Sequence, residues 1–167
     1  MTVPDGEGLE LLAGFDAGQS HTTCRIAAVE GVTGPPGRVV GEGEGPGVTH
    51  LAAEGGAERF AAALRESLRQ ALGGRAAAGG LSGGARLAAA GIGASGIEVG
   101  SPGQAEGCRL AAAALGLPIG RVAVTGDERT ALRGAFPDGP GVLVISGTGT
   151  IAVGRDGAGR ERRCGGW

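Results

Sequence analysis

The sequence predicts a three-layer α/β domain on a mixed sheet, followed by the opening strands of a second, similar unit. Three observations carry this. The chain begins with three β-type segments separated by turns, switches to an apolar residue every fourth position after Gly56, and returns to short β segments after Phe136.

The first two β segments are Leu9 to Phe15, ending in Asp16, and Thr23 to Val29; Arg38 to Gly43 is a weaker third. Gly34-Pro35-Pro36-Gly37 breaks the chain between the second and third, as an antiparallel meander requires. Phe60, Leu64, Leu68 and Leu72 then form one apolar helical face, with Glu58, Arg59, Arg65, Glu66 and Arg69 opposite and Gly73-Gly74 as the stop. Residues 75–86 are rich in Gly, Ala and Ser without an apolar face, and predict a flexible surface loop. Leu87 to Ala94 reads as a buried strand, Gln104 to Leu115 as an Ala-rich helix stopped by Gly116 and Pro118, Arg121 to Thr125 as a strand, and Asp127 to Phe136 as a helix stopped by Pro137. Gly141 to Ser146, Ile151 to Arg155 and Arg160 to Cys164 are further strands. The predicted order is βββαβαβα followed by a new β set. Crossover helices between parallel strands give such a sheet helices on both faces.

The 167 residues suffice for one ordinary core. A net charge of -2 without a basic stripe gives no footprint for nucleic acid. No apolar run approaches the ~20 residues that span a bilayer. The N-terminus carries Asp5 and Glu7 and no basic segment, so no signal peptide is expected and a cytoplasmic protein is the default. Cys24, Cys108 and Cys164 stand in no pairing or metal-ligand spacing, and buried reduced thiols are expected. The 38 glycines, the use of Arg in place of Lys, and the lack of Asn and Tyr read as codon bias of a GC-rich genome.

Three motifs can carry chemistry. Asp16-Ala17-Gly18-Gln19-Ser20-His21-Thr22 lies in a turn between strands, where small residues expose backbone N–H groups to an anion and Asp16 can hold Mg²⁺ through water. An ordinary polar hairpin turn reads equally well there. Ser146-Gly147-Thr148-Gly149-Thr150 is a second such turn, and the two segments 11–22 and 142–150 resemble each other. Val122 to Asp127 is a strand ending in a carboxylate. Asp127 is placed to take a proton from a substrate hydroxyl, or simply to cap the following helix.

The order of these elements, closed by Cys164-Gly165-Gly166-Trp167, resembles the eukaryotic-type N-acetylglucosamine kinases and the wider BadF/BadG/BcrA/BcrD-type ATPase family of the actin and hexokinase superfamily. The resemblance spans Leu11 to Trp167. It implies an actin-like ATPase (ribonuclease H-like) lobe over residues 9–138 after a disordered N-terminus at 1–8. Residues 139–167 would be the truncated start of a C-terminal lobe. It also implies ATP and Mg as cofactors, with ATP phosphates on Asp16, Gly18, Ser20, His21, Thr22, Gly147, Thr148 and Gly149. Asp127 matches the general base. Thr49, His50, Ser95, Gly96, Thr150, Gly166 and Trp167 match positions on an amino sugar whose 6-hydroxyl is phosphorylated. Where the family has a DGGGT-like string this chain has Ala17, Gln19 and Ser20, and Thr49 replaces an Asn, which leaves the exact sugar open. Partners follow in kind: an amino sugar, no nucleic acid, no membrane, and a homodimer as an open expectation at full length.

Two alternatives stay open at this stage. One is an ATPase like the dehydratase activators of the same superfamily, which need cysteine ligands for an iron–sulfur cluster. The other is an inactive remnant, because relatives continue past the GGW.

Overall fold

The computed structural model describes residues 10–29, 37–73, 76–77, 80–81, 85–146 and 150–166. The proposed N-terminal tail, the Gly34–Pro36 part of the turn, Gly147, Thr148, Gly149 and Trp167 lie outside the described residues.

A five-stranded mixed sheet forms the larger part. β1 (Glu10–Ala17), β2 (His21–Val29) and β3 (Val39–Pro46) are antiparallel, while β1 pairs in parallel with β6 (Arg86–Ala94) and β6 with β7 (Val122–Thr125). The strand order is β3-β2-β1-β6-β7. The segment expected to be a plain loop contains two short paired strands, β4 (Ala76–Ala77) and β5 (Gly80–Leu81). Their pairing is local, and a stretch of Gly and Ala gives no apolar alternation from which to read it.

Alternation along β1 divides the sheet's two faces. Leu11, Ala13, Phe15 and Ala17 are buried on one, whereas Gly14 and Asp16 are exposed on the other. The buried side is covered by α1 (Gly56–Ala71) and α2 (Pro102–Leu115), and Phe15, Ile92 and Val124 pack there with Phe60 and Leu64. Complete burial of a side chain such as Leu64 contributes about 1.5–3 kcal/mol.

β3 owes its place to glycine. Gly41, Gly43 and Gly45 alternate with Glu42 and Glu44, and the glycines lie under α1. A Cβ at Gly43 would stand 2.2 Å from the Ala71 backbone nitrogen and 2.4 Å from the Ser67 carbonyl oxygen. The helix therefore sits directly on the strand backbone, and the strand stays paired with β2 as far as Pro46 opposite His21 rather than stopping at Gly43 as expected.

α2 starts at Pro102, earlier than the Ala-rich run suggests. Ser101 caps it by accepting from the Gln104 N–H at 3.1 Å, and Pro102 occupies the first turn. The Gln104 side chain then donates to the Val124 carbonyl at 2.8 Å, tying α2 to the end of β7.

α3 (Asp127–Ala135) crosses the opposite face of the sheet. Thr130 occupies the space above Gly93, where a Cβ would come within 2.1 Å of its hydroxyl. Beyond α3, the strands β8 (Gly141–Ser146), β9 (Thr150–Arg155) and β10 (Glu161–Gly165) form a separate antiparallel sheet. Arg155 donates to the carbonyls of Gly139, at 2.7 Å, and of Phe136, which fastens β9 to the end of α3. Val142 and Val144 on β8 are exposed, while Val153 on β9 is buried.

The expectation of three buried thiols holds for Cys24 alone. Cys108 is half-buried and Cys164, on the thinly covered β10, is exposed. Burial in the apolar core pushes the Cys24 thiol up to about 12.

Candidate functional site

The site is organised around the end of β7. Gly126 holds the helix N-cap in an extended conformation, and Asp127 is the first residue of α3. Asp127 is thus next to the cap rather than the cap itself. One of its carboxylate oxygens accepts the Glu128 N–H at 2.8 Å, and its carbonyl accepts the Thr130 hydroxyl at 2.8 Å. The free N–H groups and dipole of a helix start favour a carboxylate there.

Asp127 borders two cavities. The first, of about 790 Å³, is lined by Gln19, His50, Ser95, Gly96, Thr150 and Gly166 together with Asp127. The second, of about 780 Å³, lies over the open face of the sheet and is lined by Gly14, Asp16, Thr23 and Thr130 with Asp127. Five of the residues expected at a sugar thus line one cavity with Asp127, and the residue expected at the metal lines the other with it.

His50 is presented by a local bond. Its Nδ1 accepts the Ala52 N–H at 3.2 Å, which leaves Nε2 as the protonated nitrogen of the neutral ring. Gly96 holds φ +78°, a left-handed conformation suited to glycine, and the His50 ring lies against it. The neighbouring Thr49 is placed differently. Its hydroxyl is buried without a hydrogen-bond partner, and the residue is not among those lining the cavity.

The first glycine turn is closed by the Gly18 N–H donating to the His21 carbonyl at 3.1 Å, and the Gly18 carbonyl accepts from Val48 at 2.9 Å. That second bond brings the turn alongside the segment carrying His50. Ser20 and His21 are exposed and bonded to each other, at 2.9 Å between Oγ and Nδ1. Thr22 points inward, with its hydroxyl fully buried and donating to the Pro46 carbonyl at 2.9 Å. Gly18, Ser20, His21 and Thr22 line neither cavity.

The fold is that of the actin-like ATPases. A candidate N-acetylglucosamine kinase from Chromobacterium violaceum superposes with a TM-score of 0.63 at 26% identity, over 94% of this chain and 49% of that one. Another candidate N-acetylglucosamine kinase, from Porphyromonas gingivalis, superposes at 0.61 and 22% identity, over 91% and 46%. The chain therefore spans about half the length of these solved structures. Among curated proteins, an N-acetylmuramic acid/N-acetylglucosamine kinase from Clostridium acetobutylicum is 45% identical over 49 residues, which are 29% of this chain and 16% of that protein. No family model matches the chain.

Several residues at the first cavity carry no motif signal in the sequence. Glu98, Glu128 and Arg163 line it, and Arg163 on β10 reaches both acids, at 3.1 Å to Glu98 and 3.8 Å to Glu128. Two positions back on β10, Glu161 pairs with Arg129 and, at 3.2 Å, with Arg133 of α3. Residues two apart on a strand share a face, so this alternation of charge fixes β10 against the start of α3 and delivers Gly166 to the cavity. The adjacency of Glu128 to Asp127 and of Arg163 to the CGG string were the only available hints. Burial pushes the Glu128 carboxyl above its ordinary range, and the Asp127 charge adds to this while Arg163 opposes it.

Among the described residues no three or more His, Cys, Asp or Glu gather as a metal site. The donors at the second cavity suit Mg²⁺, which keeps most of its waters and takes one or two carboxylates. Asp16 borders that cavity, and the glycine surface at Gly14 and Gly91 leaves room beside it, with no atom within 4 Å of a Cβ built at either.

Proposed function

We propose that this chain provides the general base, the sugar contacts and the phosphate turns of an ATP-dependent kinase. Its substrate is the 6-hydroxyl of N-acetylglucosamine or a related amino sugar. The observation that carries the reading is the position of Asp127 on both cavities, between the Asp16 side and the His50, Ser95 and Gly96 side. The overlap with two candidate N-acetylglucosamine kinases supports the reading, as does the short match to the N-acetylmuramic acid/N-acetylglucosamine kinase.

In this reading the sugar occupies the first cavity. The His50 Nε2–H and the Ser95 and Thr150 hydroxyls supply donors and acceptors for its hydroxyl and acetamido groups. Asp127 accepts the proton of the attacking hydroxyl as the new O–P bond forms. The nucleotide phosphates lie in the second cavity beside Asp16, and the resemblance assigns residues 147–149 to the same phosphates. Asp16 would hold Mg²⁺ through water, and the ion would supply positive charge to offset that of the phosphates. Most of the rate acceleration comes from holding hydroxyl and phosphate in line.

The test is an assay of the full product of the gene with Mg·ATP against a panel of hexoses, hexosamines and their N-acetyl forms. ATP consumption that depends on one amino sugar and yields its 6-phosphate is the expected result. ATP turnover indifferent to every sugar would favour the dehydratase-activator type of ATPase. Asp127→Asn should lower kcat by about a hundredfold or more, as loss of a general base does, with ATP affinity little changed. Unaltered turnover in that variant removes Asp127 from the role.

A further inference from the structure

Glu128 is the single buried acid among the described residues. A carboxyl at this depth costs stability unless it is well paired, and its nearest cation is distant: Arg163 Nε stands 3.8 Å away and is shared with Glu98 at 3.1 Å. Gln or Leu would fill the space at lower cost. The carboxyl also folds back over the helix start, since a Cβ at Gly126 would lie 2.2 Å from its Oε2 and 2.8 Å from its Oε1. It therefore occupies the room that a side chain at the N-cap would need, directly beside Asp127 and on the same cavity.

We propose that Glu128 is a positioning residue for Asp127: its carboxyl, held between Gly126 and Arg163, keeps the Asp127 carboxylate turned toward the two cavities. The inference rests on Asp127 being the base. One Asp127 oxygen is already fixed by the Glu128 N–H at 2.8 Å. The Glu128 carboxyl lies over the N-cap beside that bond, where it fills the space next to Gly126. In its neutral form, which burial favours, Glu128 is also a hydrogen-bond donor beside Asp127 rather than a second negative charge. The groups that face it are Asp127 on its own helix, Arg163 on β10, and Glu98 behind Arg163; Arg129 and Arg133 are engaged by Glu161, and His50 lies on the same cavity.

The coupling is read without catalysis, by carbon NMR of the Glu128 carboxyl in the isotope-labelled chain. Asp127→Asn should move its titration to lower pH, and Arg163→Gln should move it higher. A Glu128 titration identical in wild type and D127N overturns the proposal. In the sugar assay, Glu128→Ala should lower kcat by roughly a hundredfold, the scale of a misplaced reacting group, with KM little changed. Glu128→Gln, which keeps shape and a donor, should recover kcat to within about tenfold. Glu128→Ala with wild-type kcat overturns the proposal, and so does Glu128→Gln as impaired as Glu128→Ala. If no sugar is phosphorylated, the kinase reading fails, while the NMR comparison still decides whether the two carboxyls act as a pair.

Discussion

The imidazole of His50 rests on Gly96: a Cβ built on Gly96 would meet His50 Cδ2 at 3.4 Å, and Gly96 sits at φ +78°. The 3.4 Å contact is an ordinary one, so space is not the constraint; backbone conformation is. Gly96→Ala should cost about 1–2 kcal/mol from the left-handed φ alone, read as a shift in the urea midpoint at unchanged slope. On the proposed function the sugar KM should rise while kcat changes less, because the loop borders the cavity beside His50. A variant as stable as wild type would show that the loop relaxes to a conformation open to any residue.

The opposite case is Gly43, where conformation is unremarkable and space decides. Its Cβ would fall 2.2 Å from the Ala71 nitrogen and 2.4 Å from the Ser67 carbonyl oxygen, both backbone atoms of α1. Neither can turn aside, so the helix must lift from β3. Gly43→Ala should destabilise by about 3 kcal/mol, at the upper end of overpacking costs, measured by chemical denaturation. Gly14→Ala on the open face has nothing within 4 Å and serves as the control, with a change within about 0.5 kcal/mol.

These two glycines also mark what was legible in the sequence. Elements with a clean apolar period, such as Leu11 to Phe15 and the Phe60, Leu64, Leu68 series, lie where the pattern puts them. The third strand looked weak because Gly41, Gly43 and Gly45 lack the branched side chains that announce β structure; its signal was the strict alternation with glutamate. The start of α2 was equally available in Ser101-Pro102-Gly103-Gln104, a capping pattern with proline in the first turn. Asp127, His50, Ser95 and Gly96, which the resemblance implies at the sugar, line one cavity. Glu128 and Arg163 carry no such signal, because they come to that cavity through burial and through a contact between α3 and β10 that no local pattern encodes. Thr22 shows the converse. A hydroxyl in a glycine-rich turn suggests a ligand, but strand alternation turns it inward to Pro46.

Glu128 gives a stability signature in pH. Its folded-state carboxyl titrates above the ordinary value of 4.5, so the folded chain binds this proton more tightly than the unfolded chain does. The contribution is fully present below the unfolded value and is lost as pH rises through the folded one. Glu128→Gln cannot titrate and should remove that loss. Thermal melts of both proteins from pH 4 upward should therefore diverge, with the variant gaining relative to wild type as pH increases. Parallel curves would mean that the carboxyl is solvated in the folded state.

Gly126→Ser separates two effects that normally coincide. Gly126 has φ −62° and ψ 146°, an N-cap conformation that serine adopts without strain, and no side chain caps the helix there. A serine hydroxyl would ordinarily add a few tenths of a kcal/mol over glycine. Here the new Cβ would lie 2.2 Å from Glu128 Oε2, the end of a flexible side chain, so the carboxyl must leave its place. The helix gains a cap and the buried acid gains water, and both changes favour stability at neutral pH. The Asp127 carboxylate loses the neighbour that confines it. Gly126→Ser should therefore melt at or above the wild-type temperature near pH 7, with a flatter pH dependence and a lower kcat toward sugar. Stability and activity moving in opposite directions identifies the Glu128 carboxyl, rather than helix capping, as what Gly126 protects; a variant that keeps full activity while losing the pH dependence would separate Glu128 from the work of Asp127.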